Sequence, residues 1–138
     1  RSDGSIAISE IAARPPGAQF MTLLSRACDF DAVHAWADLM IHDNFFAPEI
    51  KYSAGVAYLR GQGEGRVSHL EGFDEIRAKY NDIITDVRAQ KPGQEKALNY
   101  EGEGFIIVRH PDPQVVEHAL QDIVNSVRVV MGSVTYAS

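Results

Sequence analysis

The 138-residue sequence predicts an α+β protein. Segments with the period of a strand and segments with the period of a helix follow one another in mixed order, without a strict strand–helix alternation. Clusters of glycine and proline separate them, and there is no internal repeat or low-complexity tract. Hydrophobic residues at 45% and charged residues at 23% match globular averages, which argues against disorder. The length fits one ordinary domain, or the tail of one joined to a small second one.

From the start, Asp3-Gly4 is a strong hairpin-turn signal. Ser5 to Ile11 then alternates as a strand with both faces partly buried. A hairpin turn needs a strand before it, and that strand would precede Arg1. The expectation is therefore a chain cut beside a strand pair, and a first residue other than Met gives the same expectation. Arg14-Pro15-Pro16-Gly17 ends the strand, because proline cannot donate to a ladder. A short helix follows over Gln19 to Ala27, with Phe20, Leu23, Leu24 and Ala27 on one face. Asp31 is placed as the N-cap of a second helix running to about His42. Its apolar residues Val33, Trp36, Ala37, Met40 and Ile41 form a stripe predicted to face a core. Periodicity fails near Asn44 to Ile50 and Pro48 breaks any helix, so the predicted division is 1–47 and 48–138.

Beyond it, Tyr52 to Arg60 and Arg66 to Glu71 read as strands joined by Gly61 to Gly65, which suggests a hairpin. Phe73 to Tyr80 is a short helix with Phe73, Ile76 and Tyr80 inward. Ile83 to Ala89 is a strand closed by Lys91-Pro92-Gly93, where Pro then Gly favours a type II turn. Phe105 to Arg109 is a further strand. Asp112-Pro113 supplies an N-cap and a first-position proline for a helix carrying Val116, Ala119, Leu120, Ile123 and Val127. Val127 to Met131 reads as the last strand.

Composition excludes several classes. Nineteen acidic against 13 basic residues give a net charge of -6, and the basic residues are scattered, which argues against a nucleic-acid partner. No apolar run approaches the ~18 residues of a membrane span, and no signal peptide is expected from these residues. The single cysteine, Cys28, cannot form an internal disulfide and fits a reducing cytoplasm. It reads as a buried small hydrophobe rather than a nucleophile.

The informative stretch is Ile8 to Gly17. Glu10, Ala12 and Arg14 share one face by the strand's period of two. A carboxylate and a guanidinium beside a Pro-Pro-Gly bend can hold a hard cation and a phosphate oxygen. On spacing alone, a strand-end ion pair between Glu10 and Arg14 is the preferred reading.

This segment resembles the closing strand of the ATP-grasp fold, whose pattern is Glu-x-Asn-x-Arg followed by a glycine-containing turn. Glu10 matches the magnesium-binding glutamate, and Arg14 matches the arginine that contacts phosphate or the acyl-phosphate intermediate. Ala12 stands in the asparagine's place, a departure from the family pattern that leaves the second magnesium contact from this strand open. Asp3-Gly4 matches the turn that precedes the strand in that family; another acidic metal ligand would lie upstream of Arg1. Gly17-Ala18-Gln19 and Asp29-Phe30-Asp31 resemble the stretch leading to the last large-domain helix, which shapes the acceptor pocket. Gly72-Phe73-Asp74-Glu75 and Gly104-Phe105-Ile106-Ile107-Val108 resemble steps of the small C-terminal domain, related to that of biotin carboxylase.

The resemblance implies the end of an ATP-grasp subdomain, one strand and two helices, followed by a small, mainly antiparallel C-terminal sheet with helices. It implies an ATP- and Mg²⁺-dependent carboxylate–amine ligase acting on a small carboxylic acid or amino acid. Glu10 would hold the metal, and Arg14 would bind the nucleotide's transferred phosphate and serve catalysis. The nucleotide-clamping part lies upstream, so the piece alone is expected to be inactive and to retain neither ATP nor Mg²⁺. Its first partner is that missing part of the same chain. Two other readings stay open. One is a non-catalytic binding or dimerisation domain, favoured by Ala12. The other is a structural homodimer joined through open strand edges.

Other features read as structural. Gly61-x-Gly-x-Gly65 leads into a strand, so it lacks the context of a dinucleotide loop. No two of the five histidines share the spacing of a helical metal pair. His34 could face an acceptor pocket or be a solvated structural histidine, and Trp36 reads as core. Asp82 and Asp86 could pair with Arg88, while Asp74 and Glu75 suit the first turn of a helix.

Overall fold

A computed structural model describes residues 2–8 and 11–132. Its elements run α1 (Phe20–Cys28), α2 (Ala32–His42), β1 (Ser53–Leu59), β2 (Arg66–Glu71), α3 (Phe73–Lys79), β3 (Ile84–Ala89), β4 (Gly104–His110), α4 (Pro113–Ser126) and β5 (Arg128–Gly132). The class is α+β, with two small antiparallel sheets.

The centre is β4. Phe105, Ile106, Ile107 and Val108 are all buried, so neither face of this strand is left to water. A strand apolar on both faces must sit between neighbours and between layers. It pairs with β1 on one edge and β3 on the other, in the order β1-β4-β3. Ile106 and Val108 point to α4, where Ala57, Leu59, Val116, Ala119 and Ile123 complete the main core. Phe105 and Ile107 lie on the opposite face by the period of two, the side on which Arg109 reaches α1. The second sheet pairs β2 with β5 and closes the core with Val67 and Val129.

The glycine loop after β1 does not make a hairpin, because β1 and β2 lie in different sheets. Two sets of bonds redirect the chain. The Gly61 N–H donates to the buried Glu103 carboxylate at 2.6 Å. On β2, Val67 N–H donates to the Gln94 carbonyl and Gly93 N–H to the Val67 carbonyl, at 2.9 and 2.7 Å. Loop 91–95 thus takes the ladder positions that a hairpin would have used. The Lys91–Gln94 turn itself is formed, with Gly93 at φ 89° and Gln94 N–H donating to Lys91 O at 3.2 Å.

The N-terminal segment departs from expectation. Asp3 and Gly4 make a turn, with Ser5 N–H donating to Asp3 Oδ1 at 2.9 Å. Of the predicted strand, Ser5 to Ile8 and Ile11 join no ladder, and Ile6, Ile8 and Ile11 are 93%, 77% and 88% exposed. Alternating apolar residues make a strand only when a partner supplies the ladder, and none of the described residues does. Ser9 and Glu10 lie outside the described residues.

Both helices also turn differently from the prediction. On α1, Phe20 and Leu24 are exposed and Cys28 is the buried residue, a free thiol. On α2, Asp31 caps as expected, its side chain accepting from His34 N–H at 2.9 Å. The stripe Val33, Met40 and Ile41 is exposed, while Ala32, Ala35, Trp36 and Leu39 face a groove shared with α1. α2 is apolar on more than one face, so its periodicity offered two stripes, and α1 covers the one with small residues at its start. α4 follows the prediction closely: Asp112 accepts from Gln114 N–H at 2.9 Å, and Val116, Ala119 and Ile123 are buried.

Candidate functional site

Arg14 lies on the wall of a shallow cavity of about 420 Å³ formed with Ala12, Pro15, Pro16 and Gly17. Its side chain is exposed and has no ion-pair partner among the described residues. Five guanidinium N–H donors are therefore available to an anionic ligand. Glu10, the other predicted site residue, lies outside the described residues.

The bend that carries Arg14 is fastened at several points. Trp36 Nε1 donates to the Ala13 carbonyl at 2.8 Å, tying the loop to α2. Trp36 thus serves as an anchor rather than as the core residue its stripe suggested. After the prolines, Ala18 and Gln19 both take left-handed backbone, at φ 54° and 63°. For residues other than glycine this costs about 1–2 kcal/mol each. Compensating contacts hold it: the Tyr58 hydroxyl donates to the Ala18 carbonyl, and Gln19 Nε2 donates to Glu101 Oε1 at 3.0 Å. Thr22 Oγ1 donates in turn to Gln19 Oε1 at 3.0 Å. Burial, then the neighbouring Glu101 and Tyr100, raises the Tyr58 phenol above its ordinary pKa, so it remains a donor at neutral pH.

Gly17 also matters. A Cβ there would collide with the Tyr100 hydroxyl, and Arg60 donates to the Tyr100 carbonyl. Tyr58, Tyr100 and Glu101 were not legible as site-supporting residues, because they come from β1 and from the 97–103 loop. Only the sheet register brings them beside residues 17–19.

Other predicted features resolve simply. Asp86 pairs with Arg26 rather than Arg88, and Arg88 lies 3.8 Å from Glu101. His34 is exposed at the start of α2. Among the described residues no group of three His, Cys, Asp or Glu could hold a metal. No helix among the described residues is long and apolar enough to cross a membrane.

This α+β architecture is similar to part of known structures. Two solved ATP-grasp enzymes share it. The L-amino acid ligase from Bacillus licheniformis aligns with a TM-score of 0.62 at 12% identity, over 82% of this chain and 30% of its own. The N5-carboxyaminoimidazole ribonucleotide synthetase from Thermotoga maritima aligns with a TM-score of 0.64 at 19% identity, over 94% of this chain and 34% of its own. The chain thus spans about a third of the length of these structures. No family model matches the sequence, and no curated protein matches it.

Proposed function

We propose that this chain is the C-terminal portion of an ATP-grasp ligase that activates a carboxylate with ATP and Mg²⁺ through an acyl phosphate, for attack by an amine. The observation that carries this reading is Arg14. Its guanidinium is unpaired among the described residues, on a bend held by Trp36, Tyr58 and Gln19, within a fold shared with ATP-grasp enzymes. Glu10 would hold magnesium and Arg14 would bind the transferred phosphate. When bound, the metal would offset charge on the transferring phosphoryl group. Arg14 would contribute a planar fork of donors that suits phosphate oxygens. Residues 1–47 would belong to the catalytic domain and 48–138 to a small C-terminal domain. The acceptor is a small carboxylic acid or amino acid, in the cytoplasm. This piece alone would not turn over or hold nucleotide.

The test is to determine the mass of the native polypeptide from its source, then to assay it for ADP release with ATP, Mg²⁺ and a panel of amino acids. A chain several hundred residues long with acceptor-stimulated ADP release supports the reading. In that protein, Glu10→Gln is expected to lower turnover by several orders of magnitude, and Arg14→Ala to lower it severely. Wild-type turnover in Glu10→Gln would overturn the metal assignment. A second reading, a non-catalytic binding or dimerisation domain, is favoured by Ala12 in the asparagine's place. A native chain of about this length with no ADP release would select it.

A further inference from the structure

The bend that carries Arg14 is a short strut with a fastening at each end. Arg14 precedes Pro15, which disfavours helical backbone at Arg14. The rings of Pro15 and Pro16 each hold φ at about −65°. Few soft torsions therefore remain between Ala13 and Gly17. At the near end, Trp36 Nε1 donates to the Ala13 carbonyl at 2.8 Å. At the far end, Phe20 N–H donates to the Gly17 carbonyl at 3.2 Å and closes a turn over the left-handed Ala18 and Gln19.

The Ala18 carbonyl accepts from no backbone N–H among the described residues. Its donor is the Tyr58 hydroxyl. Tyr58 stands on β1, paired opposite Phe105 of the buried strand β4. By the period of two it points away from the side on which Ala57 and Leu59 join the main core. A ring rooted in a paired strand places its hydroxyl more firmly than a loop residue could. The second tie at this end is weaker in that respect. Gln19 is held by Glu101, which lies on the 97–103 loop and is also 3.8 Å from Arg88.

Adjacent left-handed residues other than glycine persist only where surrounding contacts over-determine them. Without the Tyr58 hydroxyl the turn would relax toward ordinary backbone. The stiff proline pair would then carry that movement to Arg14. We infer that Tyr58 is a positioning residue: by holding the Ala18 carbonyl it fixes, through Pro15 and Pro16, where Arg14 presents its guanidinium. The inference rests on the ligase reading for the phosphate that Arg14 would meet, and on the bend alone for how Arg14 is held. It makes the proposed catalytic part, 1–47, depend on a residue of the proposed C-terminal domain, 48–138.

The test compares two variants that each remove only a hydroxyl. Tyr58→Phe frees the Ala18 carbonyl, and Tyr80→Phe loses a bond to Asp122 at 2.5 Å between α3 and α4, away from the bend. In the native polypeptide with ATP, Mg²⁺ and its acceptor, Tyr58→Phe should lower kcat about fivefold to tenfold, one hydrogen bond's worth. The loss should fall on kcat rather than KM, since Arg14 would act on the phosphate in transfer. Tyr80→Phe should leave kcat within about twofold. In an Arg14→Ala background Tyr58→Phe should also cost less than about twofold, because the group it positions is gone. In the chain of 138 residues, the ¹⁵N–¹H signals of Arg14, Ala18 and Gln19 should all shift in Tyr58→Phe and lose order on the fast timescale. Movement at Ala18 and Gln19 with Arg14 unmoved would overturn the inference. So would equal losses of kcat in the two variants, or the same Tyr58→Phe factor with and without Arg14. A wild-type protein with no acceptor-stimulated ADP release would instead overturn the ligase reading, and the Arg14 signal would still decide how the bend is held.

Discussion

Arg26 and Asp86 meet in a two-point ion pair, Nε to Oδ2 at 2.7 Å and Nη2 to Oδ1 at 2.6 Å, which ties α1 to β3 across the sheet face. The Arg26 guanidinium is the main cause that holds the Asp86 carboxyl below its usual range, against the opposing effect of burial. The folded pKa is depressed, so the unfolded chain binds more protons in the acid range. The pair's stabilisation is therefore fully present above the unfolded value of about 3.9 and is lost as pH falls through the lower folded value. Both side chains are partly exposed, at 38% and 23%, and that screens the pair. Asp86→Asn should cost about 0.5–1 kcal/mol at pH 7. Urea unfolding at pH 7, 4 and 2.5 should show the gap between wild type and variant closing as pH falls. A gap that stays constant would show that the charge contributes nothing.

Glu103 presents a different case, because it is buried and accepts two backbone N–H groups, Gly61 at 2.6 Å and Ala97 at 3.0 Å. Only a carboxylate offers an acceptor oxygen to each. In Glu103→Gln the new amide N–H₂ faces one of these donors, leaving it unsatisfied in a dry site. The expected cost is about 1–3 kcal/mol. Faster amide exchange at Gly61 or Ala97, measured by NMR, should accompany it. Unchanged exchange at both would remove Glu103 as the residue that redirects the chain after β1.

Gly72 precedes α3 at φ 67°, and a Cβ there would collide with the Ser126 carbonyl oxygen. Both the backbone conformation and the contact exclude a side chain. Gly72→Ala should lower stability by about 2–5 kcal/mol, the sum of left-handed strain and a forced backbone shift. Thermal unfolding followed by circular dichroism measures it. A loss below about 0.5 kcal/mol would mean that α3 and the α4 end are not packed this closely.

These residues show what a sequence can and cannot say. α4 was legible because its cap, its proline and its apolar face agree, and one stripe alone is apolar. β4 was legible from a run of consecutive apolar residues after glycine. The β1–β2 hairpin was misread because glycine spacing is local information, whereas pairing was decided by the long-range bonds of Glu103 and of loop 91–95. α2 was misread on its buried face because apolar residues occupy more than one side. At the candidate site, Arg14 stood out by its place in a motif. Its supports from Tyr58, Gln19 and Glu101 did not, since they meet only through the fold.

The contact between Gly55 on β1 and Leu120 on α4 allows a test of the core that single substitutions would miss. A Cβ on Gly55 would come within 2.5 Å of Leu120 Cδ1 and 3.3 Å of Val116 Cγ1, so the helix sits on the strand only because position 55 is bare. Gly55→Ala alone should cost about 1–3 kcal/mol through overpacking. Leu120→Ala alone should cost roughly 1–2 kcal/mol, below the 2–5 kcal/mol range for a full cavity, because Leu120 is only partly buried. Ile123→Ala, at a fully buried position, should reach that 2–5 kcal/mol range. In the double variant Gly55→Ala, Leu120→Ala the new methyl occupies the space the leucine vacated. The two losses should then fall short of additive by about 0.5–3 kcal/mol, in the range for residues in contact. A double-mutant cycle by chemical denaturation reads this directly. Additivity within about 0.3 kcal/mol would mean that α4 does not rest on β1 at this point.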